Sequence, residues 1–340
     1  MRSKWWLLAI VATVAACSLL AKAILRRSLP GAAEGSSSVA NSCPMAGVSS
    51  QGAPQAGANS HATSVPGEGS PQGGRSYRRI VSLSPSITET LFALGLGDRV
   101  VGVTRYCRWP PEAQRRTLVG GYLDPNYEAI VALQPDLVIL RGEKDAFVEG
   151  FRRLGLEVLA VRHQSVADIF SAIETIGRTC GAAQQAEGLL ADLRGRLERL
   201  RVKTAGLGRP RVLLVVERAL GTGTIQDAYV AGADGFLNDM LDLAGGQNAC
   251  PKTTVGVPVV SAEGVMQMNP DVIIDLMSPE RAAGRSHAQL LADWKPLANV
   301  AAVRTGRLYV IDDEGILVPG PRFYRLAERL ARLVHPEAAW

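Results

Sequence analysis

Between residues 182 and 203 the chain carries one unbroken amphipathic period, and that period constrains everything around it. Apolar residues fall at Ala186, Leu189, Leu190, Leu193, Leu197 and Leu200, three or four apart, the spacing of a helix that buries one stripe. Arg and Glu fill the other faces, Glu198 stands three residues before Arg201, and basic residues gather toward the end, where the helix dipole favours them. Gly181 precedes the segment, and Gly206, Gly208 and Pro210 follow it, as helix boundaries do. Gly188 and Gly195 lie inside, each costing about 1 kcal/mol relative to alanine. A helix of about 22 residues is roughly 33 Å long, the width of a small domain. Strand–helix alternations of similar length flank it. The pattern therefore predicts an α/β protein of two Rossmann-like lobes joined by a single long backbone helix.

A chain of 340 residues holds two such lobes with some to spare, and the remainder lies at the front. Arg2 and Lys4 precede an apolar run over residues 5–16, the layout of an export signal. Val14-Ala15-Ala16-Cys17 resembles a bacterial lipoprotein box, in which the cysteine becomes the lipidated first residue. The other reading is an uncleaved membrane anchor from residue 5 to about 25, close to the roughly 20 residues a span needs. Lys22, Arg26 and Arg27 make both flanks basic, so charge does not decide its orientation. Both readings place the folded part on the outer side of the cytoplasmic membrane and tied to it. Residues 28–76 are small and polar and cannot bury enough surface to offset their ordering entropy. They read as a flexible tether, and Cys43 and His61 within it are given no role. The expected segments are 1–27, signal or anchor; 28–76, tether; 77–181, first lobe; 182–206, connecting helix; and 207–340, second lobe.

The first lobe opens with an apolar strand at 79–83. Ser84-Pro85-Ser86 starts a helix, with Pro85 in the first turn, where its missing N–H does no harm, and Ser86 with Glu89 fits a capping box. Further strands are predicted at 100–103, 137–140 and 158–161 with helices between them, which implies a mostly parallel sheet covered on both faces. In the second lobe, 212–216 reads as a buried strand, 221–223 and 229–232 as a glycine-rich loop, and 236–244 as a helix. Strand and helix signals then continue to a last helix at 322–333.

One unit occurs twice. Residues 128–139 and 263–274 share Glu, Pro, Asp and every large apolar position at the same offsets. Each reads as a short helix, a Pro-Asp turn and a buried strand. One glutamate at a helix start does no more than complement the dipole, worth about 0.3–1 kcal/mol. A matched pair, Glu128 and Glu263, one per lobe, is what a two-lobed protein presents to a symmetric partner.

Other chemistries are poorly supplied. The sequence has no G-x-S-x-G elbow, H-E-x-x-H or P-loop. Gly221-Thr222-Gly223 lacks the third glycine of a dinucleotide loop, and Asp312-Asp313-Glu314 has no partner histidine. With no nucleophile–base pair, no enzyme and no catalytic cofactor is expected. The five cysteines form no C-x-x-C pair. His163, His287 and His335 lie far apart, which disfavours a bare metal ion. His163 follows a strand and reads as a surface histidine, or as an axial ligand if it approaches a cleft. The net charge of +5 is partly owed to the N-terminal segment. Basic residues are not interleaved with aromatics, so nucleic acid is not expected as a partner.

Residues 80–95 and 100–103, then Pro110-Pro111-Glu112-Ala113, then Glu128 through Pro135-Asp136, together resemble the class III periplasmic binding proteins. These serve ABC importers for cobalamin, haem and ferric siderophores. The resemblance runs from about Arg79 to the C-terminus. It implies a monomer whose long helix limits closure and which delivers its ligand to a permease dimer with its ATPase. It also implies that Glu128 and Glu263 pair with permease arginines. Residues 101–106, Trp109-Pro110-Pro111 and Gly120-Gly121-Tyr122 look most similar to the cobalamin-binding branch, in which aromatic side chains on these loops contact the corrin. That implies Tyr106, Trp109 and Tyr122 as ligand contacts and, by position, Tyr229 and the 221–224 loop. The loop at 312–317 lacks the aromatic residue that branch often has there. A large flat chelate is held mostly by apolar and aromatic contact. Arg105 and Arg108 flank Tyr106, either to attract an anionic ferric siderophore or as solvated loop charges. Cys107 reads as a small buried residue, or as a thiolate metal ligand. The expected ligand is a cobalamin-like corrinoid. The alternatives are a haem or ferric siderophore, or an ectodomain not coupled to a transporter.

Overall fold

In a computed structural model, which describes residues 77–142, 146–252 and 255–340, the apolar runs become two separate sheets. Cys17, Cys43, His61 and the segments read as signal and tether lie outside the described residues. In the first sheet, β1 (Ile80–Ser82), β2 (Val100–Val103), β3 (Thr117–Leu118), β4 (Leu137–Arg141) and β5 (Val158–Val161) lie in the order β3-β2-β1-β4-β5, all parallel. Helices α1 (Pro85–Ala93), α2 (Tyr127–Ala132), α3 (Ala146–Arg153) and α4 (Val166–Thr179) accompany it, and α5 (Ala183–Thr204) follows.

The second sheet contains β6 (Arg211–Arg218), β7 (Asp227–Val230), β8 (Gln247–Asn248), β9 (Val259–Ser261), β10 (Val272–Leu276) and β11 (Leu308–Ile311). Its order is β11-β10-β6-β7-β9, with β8 also beside β6. Helices α6 (Phe236–Leu243), α7 (Ala262–Met268) and α8 (Tyr324–Val334) pack around it. Strand β7 runs antiparallel to both β6 and β9. Residues 229 and 230 are therefore strand, not the loop that the neighbouring glycines suggested. Only Ala228 and Val230 alternate into the core there, too short a period-2 signal to read.

Alternation sorts the central strands between cores. Ile80, Leu137 and Ile139 face inward, whereas Val81, Val138 and Leu140 face a separate outer cluster. In the second sheet Val212, Leu214, Val272 and Ile274 face inward, and Leu213, Val215 and Ile273 outward. The inner cluster is one continuous body running from β1 and α1 through α4 and α5 to β6, α6 and α8. Helix α5 contributes Ala186, Leu190, Leu193 and Leu200, all buried, with Leu189 and Leu197 packed beside them. It meets α4 closely because Gly177 has no side chain. A Cβ at Gly177 stands 2.4 Å from the Ala186 Cβ, a distance no packed pair tolerates.

The repeated unit is repeated in detail. The Asn126 side chain accepts the Ala129 N–H at 3.0 Å, and the Ser261 hydroxyl accepts the Gly264 N–H at 3.3 Å. Each helix is followed by a left-handed residue, Gln134 (φ 43°) and Asn269 (φ 42°). Asp136 then accepts the Arg79 N–H at 2.9 Å and Asp271 the Arg211 N–H at 2.8 Å. The same two arginines donate to the helix-end carbonyls of Leu133 (2.6 Å) and Met268 (2.5 Å). The unit thus includes an arginine at the head of β1 and β6, outside the stretch in which the sequences match.

Two substitutions test the helix contact. Gly177→Ala should lower stability by about 1–3 kcal/mol through overpacking. Gly188→Ala, with no neighbour within 4 Å of the added Cβ, should raise it by up to about 1 kcal/mol. Denaturant unfolding of both variants reads the difference, and effects of the same sign would contradict this packing.

Candidate functional site

Parallel strands carry their loops to one edge, and the carboxyl ends of β2 and β3 bring the aromatic residues there. Tyr106 is half-buried, with the Arg105 guanidinium 5.1 Å from its ring centre. Arg105 is itself bound to both carboxylate oxygens of Asp124, at 2.6 and 2.7 Å. The Tyr122 hydroxyl donates to the Arg141 carbonyl at 3.2 Å, and its ring stands edge-on to Phe147, 6.4 Å between centres. Trp109 is 44% exposed and faces the Arg322 guanidinium at 4.6 Å.

Arg322 belongs to the second lobe, just ahead of α8. It donates to both oxygens of Glu89 on α1, at 3.0 and 2.6 Å. Glu89 is buried, and burial pushes its carboxyl up against the opposing pull of Arg322. The capping box expected of Ser86 and Glu89 therefore does not form. Ser84 is the N-cap residue, and Glu89 serves the inter-lobe junction instead. Gly320 lies so close that a Cβ there is 3.2 Å from both Glu89 Oε2 and Ser86 Cα. A second bridge joins Arg108 to Glu280 at 2.5 Å and to Glu314 at 3.5 Å. Both arginines flanking Tyr106 are thus paired with acids.

On the second lobe a buried polar network fixes the 221–223 loop. Arg218 is buried at the end of β6 and donates to Asp275 (3.0 and 2.7 Å) and Asp293 (2.9 Å). Asp293 also accepts the N–H groups of Gly221 and Gly223, both at 2.8 Å. Burial pushes the Asp293 carboxyl up, but these donors more than offset that and hold it low. The Trp294 indole N–H closes the network on Asp275 at 3.2 Å. Tyr229 sits half-buried on β7, opposite Glu217. Arg105, Tyr106, Trp109 and Tyr122 thus share loops at one edge, while Tyr229 lies within the other lobe's sheet. Of the network, only Asp275 left a sequence signal, a charge inside an apolar strand.

His163, read as a surface residue, is 3% exposed with neither ring nitrogen hydrogen-bonded. Burial, with Arg141 nearby, pushes its pKa down to about 3. Cys107 is buried and accepts from the Thr88 hydroxyl at 3.1 Å. Burial raises its pKa, which favours the thiol. Cys107, Cys180 and Cys250 are all free. Glu128 and Glu263 are exposed in the first turns of α2 and α7. A hollow of 430 Å³ lies at the opposite, amino edge of the first sheet, lined by Pro135, Asp136, Arg152 and Glu157 among others, and by none of the candidate ligand residues. Among the described residues no helix is long and apolar enough to cross a membrane.

A profile of the periplasmic binding protein family matches residues 80–314. The chain belongs to that family. Among similar proteins, the uncharacterized ABC transporter substrate-binding lipoprotein YvrC of Bacillus subtilis is 30% identical over 265 residues, covering 76% of this chain and 81% of that protein. A cobalamin-binding protein of Halobacterium salinarum is 31% identical over 265 residues, covering 76% of this chain and 69% of its own. The ligand-free structure of the periplasmic haem-binding protein RhuT of Roseiflexus sp. RS-1 superposes with a TM-score of 0.65 at 28% identity, covering 77% of this chain and 99% of that one. The two sheets with their intervening helix are thus the two-lobed fold of this family.

Two outcomes follow for this binding protein. Arg322→Ala leaves Glu89 buried and unpaired and should cost about 3–5 kcal/mol in denaturant unfolding; a loss below about 1 kcal/mol, typical of an exposed pair, would contradict the buried junction. His163 acts through pH. The unfolded chain takes up a proton below about pH 6.5, and the folded ring refuses it until about pH 3, so stability is full above that window and falls as pH drops through it. About 1 kcal/mol should be lost to His163 between roughly pH 7 and 5.5, and His163→Gln should remove that slope.

Proposed function

We propose that this periplasmic binding protein is the substrate-binding component of an ABC import system and that it captures a cobalamin-like corrinoid between its lobes. The observation that carries the ligand class is the aromatic edge with its arginines already neutralised. Arg105 is paired with Asp124 and Arg108 with Glu280, so Tyr106 and Trp109, each with one ring face against a paired guanidinium, and Tyr122 leave ring surface with little excess charge. That suits a broad chelate held by ring contact better than a strongly anionic iron chelate. The cobalamin-binding relative supports the same choice. A haem is the second reading, favoured by the structural likeness to a haem-binding protein.

In this reading residues 77–181 and 207–340 act as the lobes about the 182–206 connector. The inner core that crosses between them keeps closure small, and the protein works as a monomer. Tyr229 and the 221–224 loop face the ligand from the second lobe. Glu128 and Glu263 dock a permease dimer, which its ATPase drives. Cys17 carries a lipid that holds the chain on the outer face of the cytoplasmic membrane, consistent with the lipoprotein relative. No catalytic role is proposed.

Tyrosine and tryptophan fluorescence, followed while cyanocobalamin, haemin and a ferric hydroxamate are added separately, tests the ligand. Saturable quenching by cyanocobalamin alone is expected, with Tyr106→Ala or Tyr122→Ala weakening it about tenfold, the equivalent of about 1.4 kcal/mol. A response only to the ferric hydroxamate would overturn the corrinoid reading.

A further inference from the structure

We infer that each docking glutamate works together with an exposed apolar side chain one helical turn further on, so that the two lobes present the same acid-plus-apolar patch twice to a two-fold-symmetric permease. The inference rests on the docking reading of Glu128 and Glu263.

The observation is Val131 and Met266. Val131 is 44% exposed and Met266 42%. Each lies three residues after its glutamate, on the same helix face, with Cβ atoms about 5–6 Å apart. Single exposed apolar residues are ordinary on any surface and carry no meaning alone. Here the same position of the same unit is apolar and exposed in both lobes, beside the same acid. The backbone around it is reproduced too, through the Asn126 and Ser261 caps, the left-handed Gln134 and Asn269, and the Asp136 and Asp271 anchors. A further exposed apolar residue, Leu123 or Val259, comes shortly before each helix.

A patch of this composition selects its occupant. Each carboxylate disfavours an anionic membrane surface, which attracts basic segments. An acid beside an apolar knob fits a protein surface that offers a basic side chain next to an apolar socket. Its appearance on both lobes fits two copies of that surface related by a two-fold axis, as in a permease dimer. The division of labour follows from physical scale. An exposed ion pair contributes little affinity and chiefly steers the encounter, whereas a desolvated apolar contact at the centre of an interface supplies binding strength.

The test measures affinity of the full-length protein in detergent, without ligand, for the permease–ATPase complex purified from the same membranes. Val131→Ser and Met266→Ser should each weaken binding about tenfold and, being on separate lobes, should act nearly multiplicatively when combined. Val202→Ser, at an exposed position on α5, is the surface control and should change nothing, and circular dichroism melting checks that every variant is folded. If Glu128→Ala and Glu263→Ala weaken binding while both serine variants bind like the parent, the docking reading stands and the apolar element is refuted. If only one serine variant weakens binding, the two-fold correspondence is refuted. If neither the alanine nor the serine variants change affinity, the docking reading falls with it.

Discussion

The structure depends on one apolar body that does not stop at the boundary between the sheets. Ile80 and Ile139 in the first sheet and Val212 and Ile274 in the second belong to the same cluster, and α4 and α5 carry it across. Close approach at Gly177 and Ala186 lets the two helices act as one support. The Glu89–Arg322 pair adds a second constraint, because a buried bidentate pair strains if the lobes separate at that point. A molecule tied together both by packing and by charge has little freedom to swing open. In the proposed reading, ligand recognition comes from loops already in place, which the parallel sheet carries at its carboxyl edge.

Each lobe prepares its loops differently. On the first, paired surface charges hold the loops, as where Asp124 holds Arg105 over one face of the Tyr106 ring. On the second, a buried guanidinium and two carboxylates organise a glycine turn from beneath. Such networks are costly unless every member is satisfied. The one buried atom without a partner here is Asp275 Oδ1, on the carboxylate that burial pushes upward.

The features that could be read from sequence were those with a period or an internal copy. The segment read as residues 182–203 became α5, Ala183–Thr204, within a residue at each end, and the copied unit became two helices with matched N-caps. What could not be read depended on partners distant in the chain. Glu89 looked like a local cap because Ser86 stood three residues before it, yet Arg322, 233 residues away, wins the carboxylate. His163 was read as a surface residue, but it continues the alternation of β5, buried with Val161 while Arg162 and Gln164 are exposed. Strand β7 was hidden because its pairing, not its composition, defines it.

The proposed role of this binding protein is to supply a corrinoid to an importer. The most direct measurement is uptake of radiolabelled cyanocobalamin by cells lacking the chain, compared with the same cells carrying it, with haem uptake followed in parallel. Cyanocobalamin uptake should collapse without the chain and return with it, while haem uptake stays level. Unchanged cyanocobalamin uptake in its absence, or a loss confined to haem, would contradict it.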